Sequence, residues 1–227
     1  MFGKFQKERV QIFIDGGNFY HLVLKKLNIR ELDFSFEEFV NFLVNNRDIS
    51  LQGKRYYVGT VREIVGDERT KKAMSNQTKL FTILRFYDWE IKTSKLRTRI
   101  EKIIIDDRIV DYKKILKKGI KFIEFKRSRE KGIDVKLATD MIVAAVDDKY
   151  DTAIVVSSDA DIVPAIDWIR KRTKKKVEYI GFSILDETKK YENTKPLQTM
   201  ITYSDVQRIL TNSDLKPFIK PFIKKTK

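Results

Sequence analysis

Cysteine is absent from the 227 residues and histidine occurs once. Without cysteine there is no disulfide and no thiolate-held metal, though the compartment stays open on that count. A single histidine, His21, excludes acid–base cleavage by paired imidazoles and zinc sites assembled from His and Cys. Its place beside apolar residues on an expected helix suits a structural or surface role. No apolar run approaches the roughly 20 residues that span a bilayer. The segment Met1 to Lys7 lacks the apolar stretch of a secretory signal, so cytoplasm is the expected compartment. What the chain has in excess is positive charge: 47 Lys and Arg against 32 Asp and Glu, a net +15. That excess predicts a polyanionic partner, most simply nucleic acid, with a membrane surface the weaker alternative.

Apolar β-branched runs alternate with helical periodicity. Strands are expected over 10–14, 54–61, 121–125, 153–156 and 177–181. Helices are expected from Asn18 to about Leu27, from a Ser35/Glu38 capping box to about Asn45, over 69–86, over 135–146 and over 162–172. Two further β-rich runs, 100–105 and 109–112, flank Asp106-Asp107-Arg108 and read as an inserted hairpin. Alternating strands and helices argue a parallel α/β sandwich. At the end, Lys216-Pro217-Phe218-Ile219 is repeated at once as Lys220-Pro221-Phe222-Ile223. Proline at every fourth position forbids a regular helix, so a basic, flexible tail is expected there.

Two apolar runs end abruptly in aspartate: Val10 to Asp15, followed by Gly16-Gly17-Asn18, and Ile154 to Val156, followed by Ser157-Ser158-Asp159-Ala160-Asp161. Such runs read as buried parallel strands, and ligands bind beyond the carboxyl ends of such strands. Asp134 and Asp140 open and occupy the helix before the second run. Six helical residues turn through about 600°, so these two share a face only if Asp134 precedes the helix. Carboxylates gathered at one edge repel, by about 4 kcal/mol per pair at 4 Å and an effective dielectric of 20. A divalent cation relieves this, and oxygen ligands select Mg²⁺ or Mn²⁺ over zinc.

The ordered set of Ile14-Asp15-Gly16-Gly17-Asn18, Lys131 to Asp140, Tyr150 to Asp161 and Pro164 resembles a NYN domain, of the LabA-like branch of the PIN-like nuclease superfamily. The matching pieces span about residues 8 to 182. The resemblance implies a PIN-like (Rossmannoid) three-layer sandwich with a central, mainly parallel sheet, and an acidic Mg²⁺- or Mn²⁺-dependent ribonuclease site. Carried over by position, Asp15, Asp140 and Asp159 match the main acidic residues, and Asp134 and Asp161 match additional ones. Asn18 matches the polar residue that orients the first aspartate or the phosphate. Metal ligation is expected of Asp15, Asp140, Asp159 and Asp161. Ser158 departs from the pattern, since this branch often has glycine there. RNA contact is expected from Lys126, Arg127, Arg129 and Lys131, which lead into Asp134, and from Lys216 and Lys220 in the tail. Tyr56, Tyr57, Phe218 and Phe222 are candidate base-stacking aromatics, with core packing of at least one of the two tyrosines the preferred role.

The expected organisation is an arm over 1–9, the NYN domain over 10–185, a helical extension over 186–214 and the tail over 215–227. The expected activity is metal-dependent endonucleolytic cleavage of single-stranded or structured RNA, with room for a homodimer. The alternatives are a non-catalytic RNA-binding regulator of the same fold, a Toprim-like DNA enzyme, which would need glutamate where Asp15 stands, and a membrane-surface protein anchored by the tail.

Overall fold

The computed structural model describes residues 7–61, 63, 66–95, 97–129, 132–186 and 193–220, without the side chains of 95, 97, 98 and 127–129. Strand β1 (Arg9–Asp15) is buried on both faces along nearly its whole length, as its unbroken apolar run demands. It runs into a short helix, α1 (Gly16–Phe19), that continues as a π turn over Tyr20–Leu24. Then follow α2 (Phe36–Val44), β2 (Asp48–Thr60), α3 (Glu68–Phe86) and β3 (Glu90–Lys95). Next come β4 (Arg97–Ile104), α4 (Tyr112–Lys117), β5 (Phe122–Arg129) and α5 (Ile133–Val146). The chain continues through β6 (Thr152–Val156), a 3-10 turn over Ala160–Ile162, α6 (Val163–Arg172), β7 (Lys176–Ser183), α7 (Gln198–Tyr203), β8 (Val206–Thr211) and α8 (Asn212–Leu215).

Six strands form one sheet in the order β3-β2-β1-β6-β7-β8, and every neighbouring pair is parallel. In chain order within the sheet this is 3-2-1-4-5-6, the doubly wound arrangement, and the order reverses between β1 and β6. Side chains alternate across the sheet. Val10, Ile12 and Ile14 join the core beneath α1, α2 and α3, while Phe13 joins the core beneath α5 and α6. Helices on both faces complete the three layers expected from the sequence.

Several local expectations change. The inserted hairpin exists, but its partners differ. Strand β4 pairs antiparallel with β5, from Arg97↔Arg129 to Ile104↔Phe122, and the 109–112 run is a turn leading into α4. The 121–125 strand therefore belongs to this separate ribbon and not to the parallel sheet. Ser35 stands at the N-cap of α2 without a side-chain capping bond. Within 186–214, expected as helical, β8 adds a sixth strand beyond β7. The first copy of the tail repeat is folded: Lys216–Phe218 forms a 3-10 turn, and Phe218 is buried against Phe34, Phe39 and Phe42. Phenylalanine dominates proline there, because burying a ring outweighs ordering one turn. The second copy, from Pro221 onward, lies outside the described residues. No described helix is long and apolar enough to cross a membrane.

Candidate active-site edge

The strand order places a crevice beyond the carboxyl ends of β1 and β6, where helices leave the sheet in opposite directions. Asp15 ends β1 at this point and is buried. Its Oδ1 accepts the Asn18 N–H at 2.9 Å, so Asp15, and not Asn18, caps α1. Its Oδ2 faces the Ser157 hydroxyl at 3.4 Å. The Asn18 side-chain oxygen accepts the Ser158 N–H at 2.9 Å and so ties the two strand ends together across the crevice. Ser157 Oγ also accepts the Asp159 N–H at 3.2 Å, and Asp159 Oδ1 accepts the Asp161 N–H at 2.9 Å. The donors in these bonds are neutral N–H and O–H groups, and they fix the turn and the orientation of Asp15 and Asp159.

Ser158 takes the position where glycine is frequent without a left-handed backbone. Its hydroxyl pairs with the Tyr179 hydroxyl at 2.7 Å, which anchors the turn from below.

The register explains how Asp140 joins. Asp15 pairs with Tyr57 on β2, and Tyr57 pairs with Lys92 on β3. Residues in one row of a parallel sheet share a face, and Phe13 and Tyr57 both belong to the α5 side. Asp140 descends onto this row from α5: its Oδ2 accepts the Tyr57 hydroxyl at 2.8 Å and lies 3.8 Å from Lys92 Nζ. Lys92 is shared with Glu90, at 2.6 Å. Burial and then the Asp140 charge push the Tyr57 phenol far above its ordinary value, so it stays a proton donor to Asp140.

Asp134 lies within the first turn of α5, so it and Asp140 are both helical and face different ways. Asp140 is the one turned onto the row. Asp161 reaches the edge through its backbone N–H. Among the described residues no three His, Asp or Glu side chains close on a common point as they stand. The donor set nonetheless consists of carboxylate oxygens alone, which suits a hard divalent cation and no softer one.

Of the expected RNA-contacting residues, Lys126 is exposed on β5. The side chains of Arg127 and Arg129 lie outside the described residues, as does all of Lys131. Lys216 and Lys220 are exposed on the folded part of the tail, whose Ile219 bridges Phe34. Tyr56 and Tyr57 are both fully buried, which removes them as stacking platforms; Phe218 is buried too. Lys92 and Tyr179 carry no motif signal, and the roles of Tyr57 and Ser157 beside the aspartates were not among the sequence expectations. They enter through the sheet register and the turn after β6.

A cavity of about 540 Å³ opens on the same edge, with Gly16 and Gly17 in its wall. Gly16 is required by the buried Tyr56 ring against it: a Cβ there would sit 2.3 Å from Cζ of Tyr56. The Tyr56 hydroxyl donates to Glu31 at 3.0 Å.

Comparison with known proteins agrees with the fold. The family model for the NYN domain matches residues 9–202. A 6-hydroxy-3-succinoylpyridine 3-monooxygenase from Pseudomonas putida is 28% identical over 180 residues, 73% of this chain and 56% of that protein. The chain thus spans little more than half the length of that relative. A crystal structure of a Vibrio parahaemolyticus protein of unknown function superposes with a TM-score of 0.53 and 19% identity, over 92% of this chain and 96% of the other.

Proposed function

The chain belongs to the NYN domain family, within the PIN-like nuclease superfamily, and on that premise we propose that it is a metal-dependent endoribonuclease of the LabA-like branch. One observation carries the reading: Asp15 and Asp159 end the strands at the topological switch point, and Asp140 reaches Tyr57 and Lys92, which share a sheet row with Asp15. Asp15, Asp140 and Asp159, with Asp161 at the rim, would hold Mg²⁺ or Mn²⁺. Such a cation, when bound, neutralises phosphate charge and lowers the pKa of water.

The protein's own groups do the positioning. Asn18 and Ser157 fix Asp15, and Asn18 locks the turn that presents Asp159. Tyr57 keeps its proton and orients Asp140. Lys92 offers a cation to a phosphate oxygen next to the carboxylates. Lys126, Arg127, Arg129 and Lys131 would guide the RNA toward the carboxylates, with Lys216 and Lys220 adding charge away from the chemistry. Cytoplasmic RNA, single-stranded or structured, is the substrate class of this reading.

Purified protein is expected to cleave RNA in Mn²⁺, to stop with chelator, and to leave 5′-phosphate ends. A 2′,3′-cyclic phosphate product would contradict hydrolysis of this type. The second reading is an RNA-binding regulator of the same fold, favoured by the engagement of Asp140 with both Tyr57 and Lys92. Inactivity across varied RNAs in Mg²⁺ and Mn²⁺, with retained binding, would select it.

A further inference from the structure

The cavity includes none of the site aspartates in its lining, yet it adjoins Asp15 through the chain. Gly16 and Gly17, which line it, follow Asp15 directly, and Val58 and Gly59 at the end of β2 form another wall. A volume of about 540 Å³ lies within the range of small-molecule sites, roughly 300–1,000 Å³. It is far more than a phosphate needs. The wall on the α3 side is held in place: Gln77 accepts the Val61 N–H at 2.9 Å and donates to the Gly59 carbonyl at 2.8 Å, so its carboxamide is used to join β2 to α3.

The remaining lining suits a flat, polar ring. Tyr20 is partly exposed, and its ring meets His21 edge-on at 5.2 Å. The side-chain carboxamides of Asn28 and Asn76 line the cavity without hydrogen-bond partners among the described residues, and each offers both donors and an acceptor. Glu31 accepts from Tyr56 through one oxygen, and burial holds its pKa above the ordinary carboxylate value; its other oxygen is an acceptor at the cavity wall. Lys25 stands in the lining as a cation for an attached phosphate.

We propose that this cavity is a nucleobase site, which takes one base of the RNA strand whose neighbouring phosphate lies against Asp15 and Asp159. The proposal rests on the RNA-cleaving reading for its ligand, but it does not need catalysis. Stacking on an aromatic ring and hydrogen bonds to the base edge are how single-stranded RNA is recognised. An enzyme built this way cleaves next to a preferred nucleotide.

The test uses the full chain in chelator, with the four 5′-nucleoside monophosphates and ribose 5-phosphate as calorimetric probes. At least one nucleotide should bind about tenfold or more tightly than ribose 5-phosphate, in keeping with the worth of one stacked base. Ala73→Trp, which fills the cavity from exposed α3, and Asn76→Ala should each weaken that nucleotide by about tenfold. If Ala73→Trp does not fold, Asn76→Ala carries the test. Equal binding of nucleotides and ribose 5-phosphate would overturn the proposal. So would unchanged nucleotide binding in the folded variants, or a simple hydroxypyridine bound more tightly than every nucleotide. The two readings fail separately. Variant-sensitive nucleotide binding without cleavage leaves the cavity standing and removes the catalysis. Cleavage without base preference, unaltered by either variant, does the reverse.

Discussion

At the N-terminal edge of the sheet, carboxylates are closed by cations. Arg9 binds Asp151 and Asp148, Lys175 joins both, and the buried Glu178 is held by Arg47 at 2.7 Å and Arg208 at 2.5 Å. At the C-terminal edge, Asp159 accepts the Asp161 N–H with no cation beside it among the described residues, the Asn18 N–H and the Ser157 hydroxyl orient Asp15, and Lys92 approaches Asp140 only to 3.8 Å. The first pattern spends charge on holding strands and helices together. The second orients charge, and at Asp159 leaves its field directed at the crevice. A carboxylate with a closed ion pair is structural; one aimed by neutral donors is placed to act on something that arrives.

Neutralising one aspartate at each edge should separate the two patterns most strongly. Asp15→Asn should reduce RNA cleavage by more than about 100-fold, since even outer partners of metal ligands cost roughly 10–100-fold when removed. Asp151→Asn should leave the rate per folded molecule unchanged. Time courses in Mn²⁺ on one RNA decide it; equal rates for the two variants would erase the distinction between the edges.

The next effect belongs to stability. Glu178 is buried between two arginines, and cutting it to Ala strands both charges beneath α2. Glu178→Ala should cost about 3–5 kcal/mol in urea unfolding. A loss below about 1 kcal/mol would mean that water reaches the pair and that this edge is less closed than it looks.

Between the two edges, Gln11 sits in the middle of β1, fully buried, with neither amide atom hydrogen-bonded. An unmatched buried amide costs about 1–3 kcal/mol. Gln11→Met, of similar volume, should therefore raise stability by an amount in that range, read as a higher urea midpoint with an unchanged slope. A lower midpoint would show that the amide has a partner.

The sequence revealed what is local and apolar. β1 and β6 are legible because strands buried on both faces are written as unbroken apolar runs, and their ends deliver Asp15 and Asp159. β3, with Glu90, Lys92 and Lys95 among its six residues, and β8 were not legible, because an edge strand solvated on one side resembles a loop. The ribbon was mispaired because a nearby β-rich run, 109–112, looked like the cheaper partner than 122–129 across α4. Tyr57 and Lys92 join the site only through cross-strand register, which no motif records. Phe218 was hidden by its surroundings: lysine and proline on both sides suggest a tail, while its ring fills the gap beside Phe34 and Phe39.

The smallest expected effect probes the closed edge through pH. The hydrogen bond from Arg9 holds the Asp151 carboxyl down at about 2, below its ordinary 3.8. A depressed carboxylate stabilises the fold above its unfolded pKa, and that contribution is lost as pH falls through the folded value. The window is therefore about pH 4 down to about pH 2. Asp151 is 40% exposed, so solvent screening limits the pair to about 0.2–1 kcal/mol. Asp151→Asn should be less stable than the parent by that amount near neutral pH. The gap should close as pH falls to about 2, because the parent loses by protonation what the variant already lacks. Asp148, lowered by Lys175 and then by Arg9, retains its own share in both proteins. Urea midpoints measured across the window read the difference directly. A gap that persists undiminished at the acid end would mean that Asp151 stabilises this edge by shape and hydrogen bonding, with no electrostatic part.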